Sequence, residues 1–271
     1  MIRAKEIAEE IKKKLPIKDV KTAVILGSGL SGFTQKLEHQ QSLSYKEIKG
    51  FPQTGVSGHK GELIYGYIGA KEVLCLNGRF HLYEGHEPQT IAQVIRVLKD
   101  LGIKRLIITN AAGSLRKDMA PGTLMLIKDH INYSGKNPLV GANDETYGSR
   151  FPAMNNAYPE YFREKCKKIA KKLNISVKEG TYFMVLGPNF ETAAEVRAFG
   201  ILGGDAVGMS TVPEVIAAVH CGIEVLGISV ITNYAAGLVN NTPTHQETLE
   251  EADKASLRMS ALVTEFIKEE E

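Results

Sequence analysis

The sequence predicts an α/β fold, a largely parallel or mixed sheet flanked by helices, forming a single domain over residues 1–271. Two observations carry this. Short apolar runs rich in β-branched residues recur along the chain, several of them apolar at every position, as strands buried on both faces are. Stretches with helical spacing of apolar residues alternate with these runs, which is the pattern of an α/β protein. No internal repeat, low-complexity tract or long Pro/Ser linker divides the chain.

The elements follow in order. Ile2, Ile7, Ile11 and Leu15 are spaced for an N-terminal amphipathic helix, with Lys12, Lys13 and Lys14 on its solvated face. Strands are expected at Thr22–Leu26, Leu63–Tyr67, Val73–Leu76, Arg105–Thr109, Leu124–Ile127, Tyr182–Leu186, Ala206–Met209 and Val225–Thr232. Helices are expected at Thr90–Leu101, Pro159–Leu173, Thr192–Leu202, Pro213–Cys221 and His245–Lys268. The last opens with Thr244 as N-cap and Glu247 three residues later, the two halves of a capping box. Ser134–Ser149, rich in Gly, Asn and Asp, reads as a long surface loop of the kind that forms lids or contacts.

Composition excludes several classes of function. Lys and Arg total 33 against 31 acidic residues, a formal charge of +2, too balanced for a nucleic-acid binder. The three cysteines, Cys75, Cys166 and Cys221, form no C-x-x-C pair and are expected as core thiols in a reducing compartment. Charges interrupt the N-terminal apolar pattern, and no apolar run approaches the ~18 residues of a membrane span. A cytoplasmic protein without membrane contact is expected. His81 and His86 lack a metal-ligand helix context and a second ligand cluster, so no metal is expected.

The first strand runs into Gly27-Ser28-Gly29-Leu30-Ser31-Gly32, a literal G-x-G-x-x-G. A dinucleotide site also needs a second strand ending in an acid about 20 residues on. Tyr45-Lys46-Glu47-Ile48-Lys49-Gly50-Phe51-Pro52 is no such strand. What remains is either a tight turn or a small-anion cradle of backbone N–H groups and the Ser28 hydroxyl. After the third strand come Arg79 and His81, two residues apart and so on one side of an extended chain, with Phe80 turned to the core. Arg supplies a planar fork for phosphate oxygens and His one further hydrogen bond.

Other strand ends carry small or polar groups: Asn110-Ala111-Ala112-Gly113-Ser114, Gly187-Pro188-Asn189-Phe190-Glu191, Ser210-Thr211-Val212-Pro213-Glu214 and Asn233-Tyr234. Each has a structural explanation as a turn, an N-cap or a helix-dipole partner. Together they are strand ends able to converge on one cleft.

The ordered set GSGL (27–30), GFP (50–52), GRFHLYEG (78–85), TNAAGSL (109–115), RFPAM (150–154), GPNFET (187–192), DAVGMSTVPEV (205–215) and TNYAAG (232–237) resembles the trimeric class of purine nucleoside phosphorylases. The match runs in register from about Thr22 to His245. The resemblance implies a mixed β-sheet partly closed into a distorted barrel. It also implies reversible phosphorolysis of inosine and guanosine to free purine and α-pentose 1-phosphate, in purine salvage. Orthophosphate is then a co-substrate and no cofactor is needed.

By matching motif, Ser28, His59, Arg79, His81, the Ala111 backbone and Ser210 would hold phosphate. Tyr83, Met209 and His245 would line the pentose, and Glu191 and Asn233 the base. Asn233, Glu191 and His81 are the expected catalytic residues. Phe151 resembles an aromatic that family members insert into a neighbouring subunit's pentose site, which implies a homotrimer. Ser31 and Lys60 stand where many relatives have Gly and Ala, and Tyr234 occupies a variable position. Xanthosine remains open as a substrate. Methylthioadenosine is disfavoured because the enzymes that use it place Asp where this chain has Asn233. A dinucleotide-dependent oxidoreductase, resting on Gly27–Gly32 alone, is a further alternative, and a non-catalytic nucleoside-binding protein, disfavoured by the intact phosphate set, is another.

Overall fold

The computed structural model describes residues 3–55, 60–239 and 244–269. Six helices are formed by Ala4–Lys14 (α1), Pro88–Leu101 (α2), Glu160–Lys172 (α3), Ala193–Ile201 (α4), Val212–His220 (α5) and His245–Lys268 (α6). Strands are Thr22–Ile25 (β1), Glu38–Ser44 (β2), Glu62–Ile68 (β3), Lys71–Asn77 (β4), Arg105–Ser114 (β5), Leu124–Asn132 (β6), Val177–Met184 (β7), Ala206–Gly208 (β8) and Glu224–Tyr234 (β9).

The strands form one sheet in the order β2-β3-β4-β1-β5-β8-β7-β6-β9. A further pairing joins β9, the last strand of that series, back to β5, so β5, β8, β7, β6 and β9 close into a barrel. The sheet is mixed. β1 runs parallel to β4 and β5, and β5 parallel to β9, whereas β3–β4, β5–β8 and β6–β9 are antiparallel.

The continuous apolar character of the central strands has a direct cause. Along β1 and its extension, Ala23 and Ile25 join one core, with α1, α2 and α5, while Val24 and Leu26 join another, with α3 and α6. Alternate side chains of a strand face opposite ways, so a strand covered on both faces must be apolar at both sets of positions. In α1, Ala4, Ile7, Ala8 and Ile11 form the buried stripe and Lys12–Lys14 sit in the last turn, where the helix dipole favours cations. The capping box of α6 forms as expected, Thr244 Oγ1 accepting from Glu247 N and Glu247 from Thr244 N.

Several elements depart from the sequence expectation, among them β6, which runs past Ile127 to Asn132. β2, a polar strand (Glu-His-Gln-Gln-Ser-Leu-Ser) in which only Leu43 is buried, was invisible to apolar pattern because it lies at the sheet edge. β5 does not stop at Thr109 but continues through Asn110–Ser114, because β9 and β8 supply backbone partners there. β7 begins at Val177 and ends at Met184, pairing with β6 from Leu124↔Val177 onward, so the expected Tyr182–Leu186 was placed too late. The 134–149 segment is a loop, tied to α5 by His220 Nε2 and Asn143 Oδ1 (3.0 Å) and to α2 by the Tyr147 hydroxyl on Asp100 (2.7 Å). All three cysteines are buried and free, and no described helix is long and apolar enough to cross a membrane.

The glycines after β1 serve packing. A Cβ on Gly27 would stand 2.7 Å from Asn110 Cα and 2.9 Å from the Thr109 carbonyl oxygen. One on Gly29 would meet Ala252 Cβ of α6 at 2.7 Å, and one on Gly32 would meet Ser256 Oγ at 2.7 Å. The chain then enters a 3-10 turn, Ser31–Lys36, and not the α-helix that a dinucleotide fingerprint requires. Because the obstruction at Gly27 is backbone that cannot step aside, Gly27→Ala is expected to destabilise the fold by about 1–3 kcal/mol. A urea melt showing an unchanged midpoint would count against this account of the β1–β5 contact.

Candidate active site

β1, β4, β5, β8 and β9 end around one cavity of about 320 Å³. Its lining includes Ser28, Arg79, His81, Tyr83, Ala111, Glu191, Met209, Ser210, Asn233 and His245. Every site residue expected from sequence is therefore brought to this cavity except two. His59 lies outside the described residues. Phe151 is on the surface, 88% exposed, beside a separate groove that includes Leu139, Val140 and Met154.

Arg79 follows β4 and is only 1% exposed. Its Nε donates to Glu214 Oε1 at 2.8 Å and Nη1 donates to the Thr109 carbonyl at 2.7 Å and to Ser210 Oγ at 3.3 Å. The segment after β4, the middle of β5 and the first turn of α5 are thus joined through one guanidinium. Phe80 is buried between Tyr45 and Phe51, as the two-residue alternation required.

His81 is held from two sides. Its ring stacks on Tyr83 at 4.6 Å with 18° between planes. Its Nδ1 lies 2.9 Å from Glu84 Oε1, which also accepts from the His81 backbone N–H. Burial opposes the charge on Glu84. The hydrogen bonds from the His81 ring, Gly55 N–H and His81 N–H outweigh it and hold the carboxyl down at about 2. Burial lowers the His81 pKa, against the pull of Glu84. An ionised carboxylate only accepts, so Nδ1 carries the imidazole proton and Nε2 is the acceptor nitrogen. Burial pushes the Tyr83 hydroxyl up to about 12, keeping it a neutral donor.

Ser210 and Thr211 occupy a γ-turn in which Val212 N donates to the Ser210 carbonyl at 2.8 Å. Thr211 stands at φ 76° and ψ −51°, a costly conformation for a β-branched residue. It is fixed by Asn110 Nδ2 donating to its hydroxyl at 2.9 Å, and by the Ser210 hydroxyl at 3.1 Å. Thr211, rather than Ser210, takes the N-cap position of α5, without a side-chain cap bond. Ser210 Oγ is thereby held beside Arg79, and its N–H donates to the buried Tyr182 hydroxyl at 3.3 Å.

On the base-expected side, Glu191 does not begin α4; Thr192 is the N-cap and the helix starts at Ala193. Glu191 therefore sits just outside the helix, 9% exposed, and burial raises its pKa above the ordinary glutamate value. Asn233 is 8% exposed, its Oδ1 accepting from the Thr232 hydroxyl at 2.9 Å and its Nδ2 donating to the Tyr234 carbonyl at 3.0 Å. Gly113 faces it, and a Cβ there would press to 3.2 Å on Nδ2. Sequence reasoning assigned no individual site role to Glu84, Glu214, Thr232, Asn110 or Tyr182. Glu84 was signalled by its place three residues after His81. Glu214 had no local signal, since its partner is 135 residues away.

The raised Glu191 pKa has a sign for stability. The neutral carboxyl contributes fully below the ordinary glutamate range, and the contribution is lost as pH rises through the raised value. Glu191→Gln is accordingly expected to raise Tm at pH 7.5, with the gap to the parent protein closing towards pH 4. Thermal melts across that range check it; a variant less stable at neutral pH would contradict the burial cost assigned to this carboxylate.

The sequence model of the Phosphorylase superfamily matches residues 21–268. The chain is 44% identical over 269 residues to purine nucleoside phosphorylase 1 of Bacillus subtilis, covering 99% of each. It is 46% identical over 249 residues to the purine nucleoside phosphorylase of Rattus norvegicus, covering 89% of this chain and 86% of the relative. The crystal structure of the Schistosoma mansoni purine nucleoside phosphorylase in complex with inosine superposes with a TM-score of 0.94 at 37% identity, covering 99% of this chain and 96% of that one. With its five-stranded closure, its cavity of strand ends and these full-length relatives, the chain belongs to the purine nucleoside phosphorylases of the phosphorylase superfamily.

Proposed function

We propose that the chain catalyses reversible phosphorolysis of 6-oxopurine ribonucleosides and deoxyribonucleosides, inosine and guanosine, to free purine and α-pentose 1-phosphate, in purine salvage. The observation that carries this reading is that a single cavity gathers Arg79, His81 and Ser210 together with Glu191 and Asn233. Orthophosphate is the co-substrate, and the chemistry uses no cofactor.

In this reading Ser28, Arg79, His81, the Ala111 backbone and Ser210 hold phosphate, with His59 as a further contact. His81 Nε2 accepts from the hydroxyl of hydrogen phosphate, since Nδ1–H is committed to Glu84. Tyr83, Met209 and His245 line the pentose. A phosphate oxygen bonds to C1′ as the C1′–N9 bond breaks, through an oxocarbenium-like state. The bond pair leaves with the purine and spreads towards N7. Asn233 Nδ2 has one hydrogen on the Tyr234 carbonyl and a second to give to N7 as charge develops there. Ionised Glu191 accepts from N1–H of a 6-oxopurine. Adenine presents a lone pair at that atom, which would leave a buried carboxylate unmatched. Phe151 supports a homotrimer in which it enters a neighbour's pentose site, because a large aromatic side chain is left 88% exposed.

Base release from inosine, guanosine, xanthosine, adenosine and methylthioadenosine, each with and without orthophosphate, tests the reading. Fast, phosphate-dependent release from inosine and guanosine is expected. Release without phosphate would make the chain a hydrolase and remove the phosphate assignments, and strong xanthosine turnover would widen the base site. Asn233→Asp is expected to raise the adenosine-to-inosine ratio of kcat/KM by about tenfold or more, by replacing a fixed donor with an acceptor. An unchanged ratio would sink that role. Arg79→Ala is expected to raise phosphate KM more than inosine KM. It also strands Glu214 without its cation, at a cost of about 3–5 kcal/mol. A rise in inosine KM alone would contradict the placement of phosphate.

A further inference from the structure

The described residues of the cavity carry a nearly balanced charge inventory at the position assigned to phosphate. Among the described lining residues Arg79 is the one lysine or arginine. Its charge is matched at 2.8 Å by Glu214, and the two side chains are 1% and 5% exposed. Burial lowers the pKa of His81 beside it and favours the neutral ring, whose Nδ1–H donates to ionised Glu84. The described groups around the phosphate position therefore bring hydrogen-bond donors with no net positive charge. Ser210 and Ala111 line the same cavity.

Glu214 is placed for this by the fold. The γ-turn at Ser210–Val212 starts α5, so Glu214 falls in the first turn, where the helix dipole favours an anion. The same turn puts the Ser210 hydroxyl on the other side of the guanidinium. Arg79 is thereby gripped by an anion at Nε and by neutral acceptors at Nη1.

We infer that Glu214 is a positioning residue that sets the charge of the phosphate site. By cancelling Arg79 it lets phosphate be held by directional donors while the anion keeps its own negative charge for the sugar. The inference rests on the phosphorolysis reading above. Its logic is electrostatic. In the oxocarbenium-like state positive charge builds on the pentose, and the closest counter-charge is the attacking phosphate itself. A cavity with an uncompensated guanidinium would bind phosphate more tightly in the ground state, while weakening its nucleophilicity and its attraction for the cationic sugar. Tighter ground-state binding that is not reproduced in the transition state lowers kcat.

Glu214→Gln tests this, because the amide oxygen retains an acceptor for Nε while the charge is lost. The expected result is a split: phosphate KM falls about tenfold and kcat falls about tenfold. Orthophosphate should also raise Tm more in this variant than in the parent at equal concentration. Glu214→Asp, which keeps the charge, is expected to show no such tightening. A rise in phosphate KM together with a fall in kcat in Glu214→Gln would overturn the inference, leaving Glu214 as a simple brace for the guanidinium. Tightening in Glu214→Asp would overturn it too.

A measurement on the parent protein stands whether or not the variants fold. The second ionisation of bound orthophosphate, followed by ³¹P NMR against pH, is expected within about one unit of its free-solution value, as befits a site whose described groups carry no net positive charge. A depression well beyond that would overturn the inference. Failure of the underlying reading looks different: the parent protein itself would show no phosphate-dependent Tm rise and no phosphate-dependent base release.

Discussion

The parallel pairing of β5 with β9, from Arg105↔Glu224 to Ser114↔Tyr234, is the constraint on which the rest of the structure depends. It closes five strands into a barrel. It also carries β5 past the point where its apolar run ends, so that Ala111 and Gly113 lie level with the end of β9 that bears Asn233. The register shift at Ala112/Gly113 bends the pair there, as an extra residue in one strand does. Small residues at these positions leave room for the Asn233 amide, and the Thr232 hydroxyl fixes which way that amide points. A shorter pairing would leave both strand ends as separate loops, and no cavity would exist for the remaining groups to line.

Three carboxylates around this cavity, Glu191 and Glu214 buried and Glu84 partly so, show how environment divides one functional group into different tasks. Glu84 accepts from the His81 ring, His81 N–H and Gly55 N–H and stays ionised far below neutrality, which fixes the tautomer of His81. Glu191, with burial dominating, has its pKa pushed upward and holds charge at a cost that a matched ligand can repay. Glu214 is paired directly with Arg79. The strained Thr211 backbone is part of the same arrangement. The strain is sustained by hydrogen bonds from Asn110 and Ser210, and it delivers Ser210 and Glu214 to opposite sides of one guanidinium.

Most elements were legible because burial on both faces of a strand, or on one stripe of a helix, writes itself into local apolar spacing. β1, β4 and α6 are of this kind. β2 was not legible, since an edge strand takes its backbone partners from β3 without needing apolar side chains of its own. The far half of β5 was hidden for a related reason: backbone pairing with β8 and β9 imposes extension on Asn, Ala and Gly that have little strand preference. The G-x-G-x-x-G match misled as a local string. Its glycines make way for the β5 backbone and for α6, a requirement that the six letters share with a dinucleotide loop without sharing its helix.

The sequence by itself determined the alternation of strands and helices and the placement of Arg79, His81, Glu191, Ser210 and Asn233 at element ends. It determined these because periodicity and chemical type are local properties. Only the tertiary structure decided that the sheet closes on itself, that those element ends share one cavity, and that Glu214 neutralises Arg79 from 135 residues away. Ion pairing, hydrogen-bond orientation and the desolvation that raises Glu191 depend on distances between segments remote in the chain. Such distances exist only once the strands have paired.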